Sequence, residues 1–394
     1  MNVMQPLPGP RPWPRRVLMT ADAVGGVWQY GLDLAAGFSR RGVEVLLAVM
    51  GDAPRPHQVA AADRIPGLHL VSAPYRLEWM EDAAADVDAS GVWLLTLARR
   101  FKPHVVHLNG YAHAALPWDR PVVVAAHSCV RTWWRAVHGE DPPPVWDDYT
   151  SWVAAGLAAA DAVIVPTAAF LAMLEAAHGR IEFATVVHNG RSAAGARPIA
   201  DKEPLILCAG RLWDEAKNIP AVDAAAGCLP WPVFVAGAAA GPDGSPPPRI
   251  EHMRLLGALG ETELRACYNR AAIFVTPALY EPFGLAVLEA AQSGCALVLS
   301  DIPTLRELWD GAAVFVPSRE ADALRRALAE LIEDGDRRRS LGEAAVVRAR
   351  AYTPERMVQR TLAVYGEALV RWSAAVGGDA ASGVTLSQPV GTLR

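Results

Sequence analysis

Short runs of apolar, mostly β-branched residues alternate with alanine-rich segments of helix length along most of this 394-residue chain. Most of the runs are largely apolar, which is typical of strands buried on both faces of a parallel sheet. Twelve strands are predicted, at 16–20, 43–50, 68–72, 105–108, 122–126, 162–165, 205–209, 233–236, 254–256, 273–276, 296–300 and 314–316. The helix-length segments between them include 31–41, 92–101, 148–160 and 284–293. The alternation predicts the α/β class with doubly wound parallel sheets.

A break divides the predicted strands into two sets of six. The break, RSAAGARPIADKE at 191–203, is small, polar and proline-containing, as linkers are. Since domains average about 150 residues, two or three are expected. We predict two Rossmann-like domains, at 15–190 and 204–352, with an interdomain cleft at the carboxyl ends of the strands. A last predicted helix, at 353–372, would run back toward the first domain.

Composition excludes several other classes of protein. The chain has 37 Lys and Arg against 42 Asp and Glu, a net charge of −5, so no basic surface for nucleic acid is expected. No run reaches the roughly 18 apolar residues of a membrane-spanning helix. The first residues, MNVMQPLPGPRPWPRR, lack the apolar core of a secretory signal. The five cysteines are scattered and never spaced C-x-x-C, which favours a reducing cytoplasm over a disulfide scaffold or zinc module.

The segment YEPFGLAVLEA at 280–290 directly follows a predicted strand and is the most informative stretch of the chain. Pro282 disfavours helical backbone at Glu281, so Glu281 is expected in an extended loop. A helix should begin near Phe283 or Gly284, and a glycine there leaves the first backbone N–H groups of the helix open to a phosphate.

Glu289 lies on the helix that this segment begins, eight positions after Glu281. A carboxylate in that place can accept hydrogen bonds from the vicinal hydroxyls of a ribose or a hexose. The alternative is an ordinary strand, turn and helix with two surface glutamates.

A second segment, LCAGRLWDEAKN at 207–218, also leaves the end of a predicted strand. Arg211 and Lys217 could hold the two phosphates of a nucleoside diphosphate, with about 1.5–3 kcal/mol for each charge-assisted hydrogen bond. Asn218 is a candidate helix cap. The alternative is a pair of solvated charges beside an exposed turn.

A third segment, ADAVGGVWQYG at 21–31, follows the first strand and begins a helix. If Gly26 and Gly31 were the outer glycines of a G-x-G-x-x-G dinucleotide fingerprint, Trp28 would occupy the middle position, so the fingerprint fails. What remains is a loop in which Gly25 and Gly26 let backbone approach a ligand, or a tight turn.

His127 comes at the end of a predicted strand, where doubly wound domains place reactive groups. Three other histidines, at 104, 107 and 113, lack a companion carboxylate cluster and are interpreted as structural or cleft-lining, without a metal. Trp133 and Trp134, flanked by arginines, could stack an acceptor sugar, touch a membrane surface or pack under a loop.

Together these segments resemble the retaining nucleotide-sugar glycosyltransferases of the GT-B fold, glycosyltransferase family 4 (group 1). The specific motifs are Gly210-Arg211 with Lys217 six residues later, and the E-x7-E pattern from Glu281 to Glu289. The resemblance covers about 15–372, nearly the whole chain. It makes the first domain the acceptor side and the second domain the donor-binding side.

The resemblance implies a role for each site position. Catalytic positions are His127, Arg211, Lys217 and Glu281, and donor-binding positions are Gly25, Gly26, Phe283, Gly284, Leu285 and Glu289. Arg211 and Lys217 would hold the donor diphosphate and neutralise it as it leaves. Glu281 would contact hydroxyls of the donor sugar, Glu289 the ribose, and His127 the sugar near the reacting carbon. The glycine pair would close over the phosphates, while backbone N–H groups at the helix start would bind phosphate or sugar.

The implied reaction moves a hexosyl group from a UDP- or GDP-sugar to a glycan, a lipid-linked sugar or a small molecule, as in polysaccharide biosynthesis. No metal or other cofactor is expected, and peripheral contact with the inner membrane face stays open. Alternatives are an NAD(P)-dependent oxidoreductase and a non-catalytic protein that binds nucleotide-sugars. Two positions depart from the family: Arg191 stands where an aliphatic residue is more usual, and Val43 where a histidine is common.

Overall fold

The computed structural model describes residues 13–197, 202–241 and 248–377, and these contain two parallel sheets. The first sheet has seven strands in the order β3-β2-β1-β4-β5-β6-β7, and the second has six in the order β10-β9-β8-β11-β12-β13. The strands of the first sheet are β1 Arg16–Asp22, β2 Glu44–Met50, β3 Leu68–Ala73, β4 Val105–Leu108, β5 Val122–Ala125, β6 Ala162–Val165 and β7 Ala184–Val186. Those of the second are β8 Glu203–Ala209, β9 Val233–Ala236, β10 Arg254–Gly257, β11 Ala271–Thr276, β12 Ala296–Ser300 and β13 Val314–Val316. The predicted doubly wound α/β class is confirmed.

Helices connect the strands and cover both faces of the sheets. Those before the predicted linker are α1 Gly26–Ser39, α2 Pro56–Ala62, α3 Ala84–Phe101, α4 Val130–His138, α5 Asp147–Ala159 and α6 Ala168–His178. Those after it are α7 Ile219–Ala226, α8 Glu261–Arg270, α9 Leu285–Gln292, α10 Pro303–Trp309, α11 Ala321–Glu333, α12 Gly335–Ala349 and α13 Pro354–Gly377. Part of the predicted linker, 198–201, lies outside the described residues.

All twelve predicted strands are present, but two features differ from expectation. The first sheet has a seventh strand, Ala184–Val186, which is only three residues long and partly exposed at the sheet edge, so its sequence carries no long apolar run. Helix α1 begins at Gly26 instead of at residue 31. Trp28 and Tyr30 are buried on its core-facing side. The first turn of the helix is formed by residues that the sequence suggested as a loop.

Each sheet is the centre of two hydrophobic cores. Side chains alternate along β1, so Val17 and Met19 pack with α1 and α13 on one face while Leu18 packs on the other. All three are 0% exposed. In the second sheet, Leu207 belongs to the core over α9 and Ile206 to the core over α7 and α11. Burial on both faces explains why the strands are largely apolar.

Helix α13 lies on the first sheet although it follows the second along the chain. Met357, Val358 and Tyr365 are buried in the same core as α1 and the first sheet. The Tyr365 hydroxyl donates to Nδ1 of the buried His107 at 2.8 Å. None of the helices in the described ranges combines the length and apolar character needed to cross a membrane.

The crossing of α1 and α13 depends on a glycine, which gives a stability prediction. A Cβ at Gly37 would lie 2.3 Å from Cγ2 of the buried Val358, whose β-branched side chain has little rotamer freedom in a helix. Gly37→Ala should therefore lower the free energy of unfolding by about 1–3 kcal/mol in a urea titration.

Gly31 provides the matched control on the same helix. A Cβ at Gly31 would meet Leu47 and Met19 at an ordinary 3.7 Å. Gly31→Ala should be neutral or stabilising because alanine favours helix. Equal effects of the two substitutions would contradict the close crossing.

Candidate active site

The predicted site residues follow strands of both sheets, at carboxyl ends that face each other across the cleft. His127 follows β5 in the first domain, whereas Arg211 follows β8 and Glu281 follows β11 in the second. The glycine loop after β1 reaches the second domain, since a Cβ at Gly26 would lie 3.3 Å from Cδ1 of Leu285. The fold therefore brings residues from four separate strand ends to one cleft.

The glycine loop has backbone that favours glycine. Gly25 precedes α1 with φ of 87° and ψ of −141°, and a Cβ there would meet nothing within 4 Å. The first N–H groups of α1 have no partner within the helix, so the helix start is suited to an anion. Trp28 is 5% exposed and belongs to the core, which agrees with the failure of the dinucleotide fingerprint.

A second helix start, that of α9, lies on the other side of the cleft. Gly284 precedes the helix with φ of 86°, and Leu285 is the first helical residue. The side chain of Phe283 is 3% exposed and packs in the core of the second domain, so at the site Phe283 can offer only backbone. The unpaired N–H groups and positive dipole end of α9 make this the second place where phosphate would bind.

Lys217 and Glu281 form an ion pair beside the start of α9. Lys217 Nζ lies 2.7 Å from Glu281 Oε2, and both side chains are largely buried, with 16% and 17% exposure. Glu281 lies in a loop, and its backbone carbonyl accepts a hydrogen bond from Thr304 Oγ1 at 2.7 Å. Its side chain lies close to Gly284, where an added Cβ would be 3.3 Å from Glu281 Cγ. A cation, a carboxylate and a helix start therefore share one corner of the cleft.

Arg211 is held by Asp214, a residue that the sequence did not single out. Arg211 Nη2 lies 2.7 Å from Asp214 Oδ2, and the guanidinium packs over the Trp213 ring. Burial opposes ionisation of Asp214, but Arg211 and Lys217 outweigh it and lower the pKa of this carboxyl. Trp133 of the first domain donates from Nε1 to Asp214 Oδ1 at 3.1 Å. The indole therefore serves as a contact between the domains, which favours packing over the sugar-stacking interpretation of Trp133.

His127 is oriented by Asn109, another residue that the sequence missed. The amide Nδ2 of Asn109 donates to the Thr20 carbonyl at 2.6 Å, so its Oδ1 accepts from His127 Nε2 at 2.7 Å. The imidazole Nδ1 is then the acceptor nitrogen. Burial lowers the pKa of His127 to about 4, and its ring packs edge-on against Tyr30 at 4.5 Å. His127 is therefore neutral near pH 7, with a fixed tautomer.

Asp22 is a third cleft residue that the sequence did not identify. It ends β1, and its Oδ1 accepts from the Val24 backbone N–H at 2.7 Å. Burial raises the pKa of Asp22 to about 6, although Arg211 of the other domain is close enough to oppose the shift. A buried carboxyl thus lies at the end of β1, directly before the glycine loop and near the predicted phosphate-binding arginine.

Glu289 lies on α9 as expected, but its carboxylate already has a protein partner. Glu289 Oε1 accepts from Arg191 Nε at 2.8 Å. Arg191 also binds Asp33 of α1 and Glu261 of α8. The departure from the family at position 191 is therefore part of the site.

Two hydrogen bonds, one to a side chain and one to the backbone, hold the Glu281 loop against the first domain. The Tyr280 hydroxyl lies 2.8 Å from Thr132 Oγ1, and the phenol is buried in a core of the first domain. On the other side of Glu281, Thr167 Oγ1 donates to the Pro282 carbonyl at 3.0 Å. The position of Glu281 relative to His127 is thereby fixed by both domains.

A small pocket lies at the ends of β1, β2 and β4 in the first domain. Polar side chains in its wall include Asp22, Glu78 and Asn109. Glu78 accepts from the backbone N–H groups of Tyr111 and Ala112 at 2.8–3.0 Å, and burial raises its pKa. Asn109 lines this pocket and also binds His127, so one residue is shared by the pocket wall and the cleft site.

Asn218 precedes α7 but makes no side-chain cap. Its Nδ2 donates to the carbonyls of Pro277 and Ser318. His113 is buried and bonded to Ser90 at 2.9 Å, as a structural histidine would be. In the described ranges, no group of three or more His, Cys, Asp or Glu side chains is arranged to hold a metal ion.

Curated relatives of similar length are glycosyltransferases. The chain is 27% identical to a D-inositol 3-phosphate glycosyltransferase of Kineococcus radiotolerans, covering 91% of this chain and 94% of that one. It is 26% identical to the protein of the same name from Nocardia farcinica, covering 94% and 90%.

Solved structures share the fold at low sequence identity. Sucrose-phosphate synthase from Thermosynechococcus elongatus superposes with a TM-score of 0.79 at 18% identity, covering 91% of this chain and all of that one. HepE of Anabaena, solved with UDP and glucose, gives 0.69 at 14% identity, covering 88% and 98%. These neighbours confirm the GT-B arrangement of two Rossmann-like domains.

Two family models match the chain, and together they span more than half of it. The model described as Glycosyltransferase Family 4 matches residues 24–193, and the one described as Glycosyl transferases group 1 matches 249–348. The first match includes the glycine pair, Asn109 and His127, and the second includes the Glu281 loop and α9. The chain belongs to glycosyltransferase family 4, group 1.

Proposed function

We propose that this glycosyltransferase moves a hexosyl group from a UDP- or GDP-sugar to a glycan, a lipid-linked sugar or a small hydroxylated molecule, with retention at the anomeric carbon. The observation that carries the proposal is the 2.7 Å pair of Lys217 and Glu281 beside the start of α9. A diphosphate-sugar bound there would meet a cation, helix N–H groups and a carboxylate that can accept hydrogen bonds from sugar hydroxyls. The UDP-glucose complex of HepE and the glycosyltransferase names of the relatives support this donor class.

In the proposed reaction, the bond between the anomeric carbon and the diphosphate oxygen breaks, and the diphosphate departs with the electron pair. Arg211, Lys217 and the N–H groups at the start of α9 stabilise that charge, as preorganised donors stabilise an oxyanion. An acceptor hydroxyl forms the new bond on the same face of the sugar and passes its proton to the departing diphosphate oxygen. Glu281 holds hydroxyls of the sugar, and the neutral His127 lies beside the ring.

The protein's own cations take the role that a metal would otherwise fill at the diphosphate, so we propose a metal-independent reaction. The pocket lined by Asn109 is the proposed acceptor site, because Asn109 also binds His127. All five cysteines are free thiols, which supports a reducing cytoplasm, with contact at the inner membrane face where the acceptor is lipid-linked. A non-catalytic nucleotide-sugar binder is the remaining alternative, and turnover separates the two.

Removing either predicted phosphate-binding cation should slow transfer without unfolding the protein. We expect Arg211→Ala and Lys217→Ala each to lower kcat/KM by about 100-fold, since each removes charge stabilisation from the leaving group. The measurement is the rate of sugar transfer, with circular dichroism to monitor folding.

Arg306→Ala is the matched control. Arg306 belongs to the same domain, is 43% exposed against 42% for Arg211, and likewise pairs with an aspartate and packs over an aromatic ring. It should keep the wild-type rate. Wild-type rates in both cleft variants would contradict the diphosphate site.

The donor class and metal independence can be tested in one calorimetric series. We expect UDP or GDP to bind with the same affinity in EDTA as in Mg²⁺, and ADP and NADH to bind far more weakly. Loss of binding and transfer in EDTA would overturn metal independence, and preferential binding of NADH would overturn the donor class.

Ionisation of Asp22 should make donor binding depend on pH. As the pH rises through about 6, the carboxyl loses its proton and becomes negative beside Arg211. Affinity for the donor should then fall about two- to fivefold, the range of a partly screened charge pair. Asp22→Asn should remove this step. The titration uses the UDP- or GDP-sugar, because its phosphates do not change charge near this pH, and a step that persists in Asp22→Asn would exclude Asp22 as its source.

A further inference from the structure

Arg191 joins three carboxylates from three helices. Its Nη1 lies 2.9 Å from Asp33 of α1, its Nη2 2.8 Å from Glu261 of α8, and its Nε 2.8 Å from Glu289 of α9. The arginine side chain is only 4% exposed. Asp33 belongs to the first domain and the two glutamates to the second, so a single guanidinium connects the domains at the predicted ribose position.

The guanidinium is charged and fully engaged in this cluster. Burial favours the neutral form, but the three carboxylates outweigh it and raise the pKa of Arg191 above its usual value. A guanidinium presents N–H groups in a rigid planar fork, and here each of its three nitrogens has its own carboxylate. An ammonium at this position would be a single point charge and could not hold the three directions.

The backbone around Arg191 is also fixed. Its carbonyl accepts from Gln292 Nε2 at 2.8 Å, at the end of the helix that carries Glu289. Gly190 is pressed against the chain entering α13, where an added Cβ would lie 2.2 Å from the Thr353 carbonyl oxygen. The guanidinium therefore has a defined origin relative to α9 and can determine the rotamer of Glu289.

We propose that Arg191 is a positioning residue that orients Glu289 toward the ribose hydroxyls of the donor and, through Asp33, links that orientation to the first domain. This inference rests on the proposed function, in which Glu289 binds ribose. A carboxylate offers about four acceptor sites, so an Oε1 that accepts from Arg191 Nε leaves the outer face of the group for two vicinal hydroxyls. The arginine keeps this carboxylate pointed in one direction.

The test measures discrimination between a ribonucleotide and its 2′-deoxy analogue. The probes are UDP and 2′-deoxy-UDP, or the guanosine pair where GDP is preferred, and the readout is the ratio of their dissociation constants by calorimetry. We expect a wild-type ratio of about tenfold, as for one hydrogen bond to a charged group. In Arg191→Lys the ratio should fall to near one. A merely structural role would weaken both ligands equally and leave the ratio unchanged.

Two carboxylate variants test the arms of the Arg191 cluster separately, and they remain informative if Arg191→Lys folds poorly. Asp33→Asn removes the charge of the first-domain arm, whose side chain is 15% exposed, and should lower the ratio. Glu261→Gln is the matched control, since its side chain is 66% exposed on the opposite arm, and it should keep the wild-type ratio. A wild-type ratio in Asp33→Asn would overturn the link to the first domain.

Glu289→Gln separates this inference from the function on which it rests. If Glu289→Gln kept the wild-type ratio, the ribose role of Glu289 would be wrong, and the inference would fail with it. If Glu289→Gln lost the ratio while Arg191→Lys kept it, the ribose role would stand and the positioning role of Arg191 would be overturned.

Discussion

The buried side chain of Tyr280 joins the two domains at the point where the site is built. Its ring belongs to a core of the first domain, while its backbone leads directly into Glu281 of the second. The hydroxyl is bonded to Thr132, so the polar end of a large buried side chain has the partner it requires. Neither domain alone holds both His127 and the Lys217–Glu281 pair. The geometry of the reaction centre therefore depends on contacts that cross the cleft.

The two cations at the cleft, Arg211 and Lys217, are held in place by carboxylates of the protein. Lys217 pairs with Glu281, and Arg211 with Asp214, which is only 5% exposed. Without these partners, two cations close to the same anion site would repel each other and lose their fixed directions. Paired, they keep their geometry, and a diphosphate can be stabilised without much reorganisation of the protein. A donor diphosphate would therefore have to compete with Asp214 and Glu281 for these two cations.

The sequence predicts the parts of this site that are local and misses those that are not. Largely apolar runs made twelve of the strands predictable, including the three-residue Val314–Val316, whereas Ala184–Val186 has a threonine at its centre and carries too little of that pattern. Glu281 and Gly284 could be placed because Pro282 and the strand before them restrict the local backbone. The roles of Asn109 and Asp22 could not, because they arise from partners far along the chain. Asn109 is 18 residues from the histidine that it orients.

Arg191 shows why a departure from a family pattern has to be judged in three dimensions. An isolated guanidinium buried at the domain junction would cost several kcal/mol in lost hydration, so this position tolerates arginine only if partners are supplied together with it. Asp33 of the first domain and Glu261 and Glu289 of the second supply three. An aliphatic residue at 191 would leave Asp33 and Glu289 as neighbouring buried carboxylates without a cation, which is unfavourable for both. The arginine and its acids therefore form one unit, so substituting any buried member should also change contacts made by the other domain.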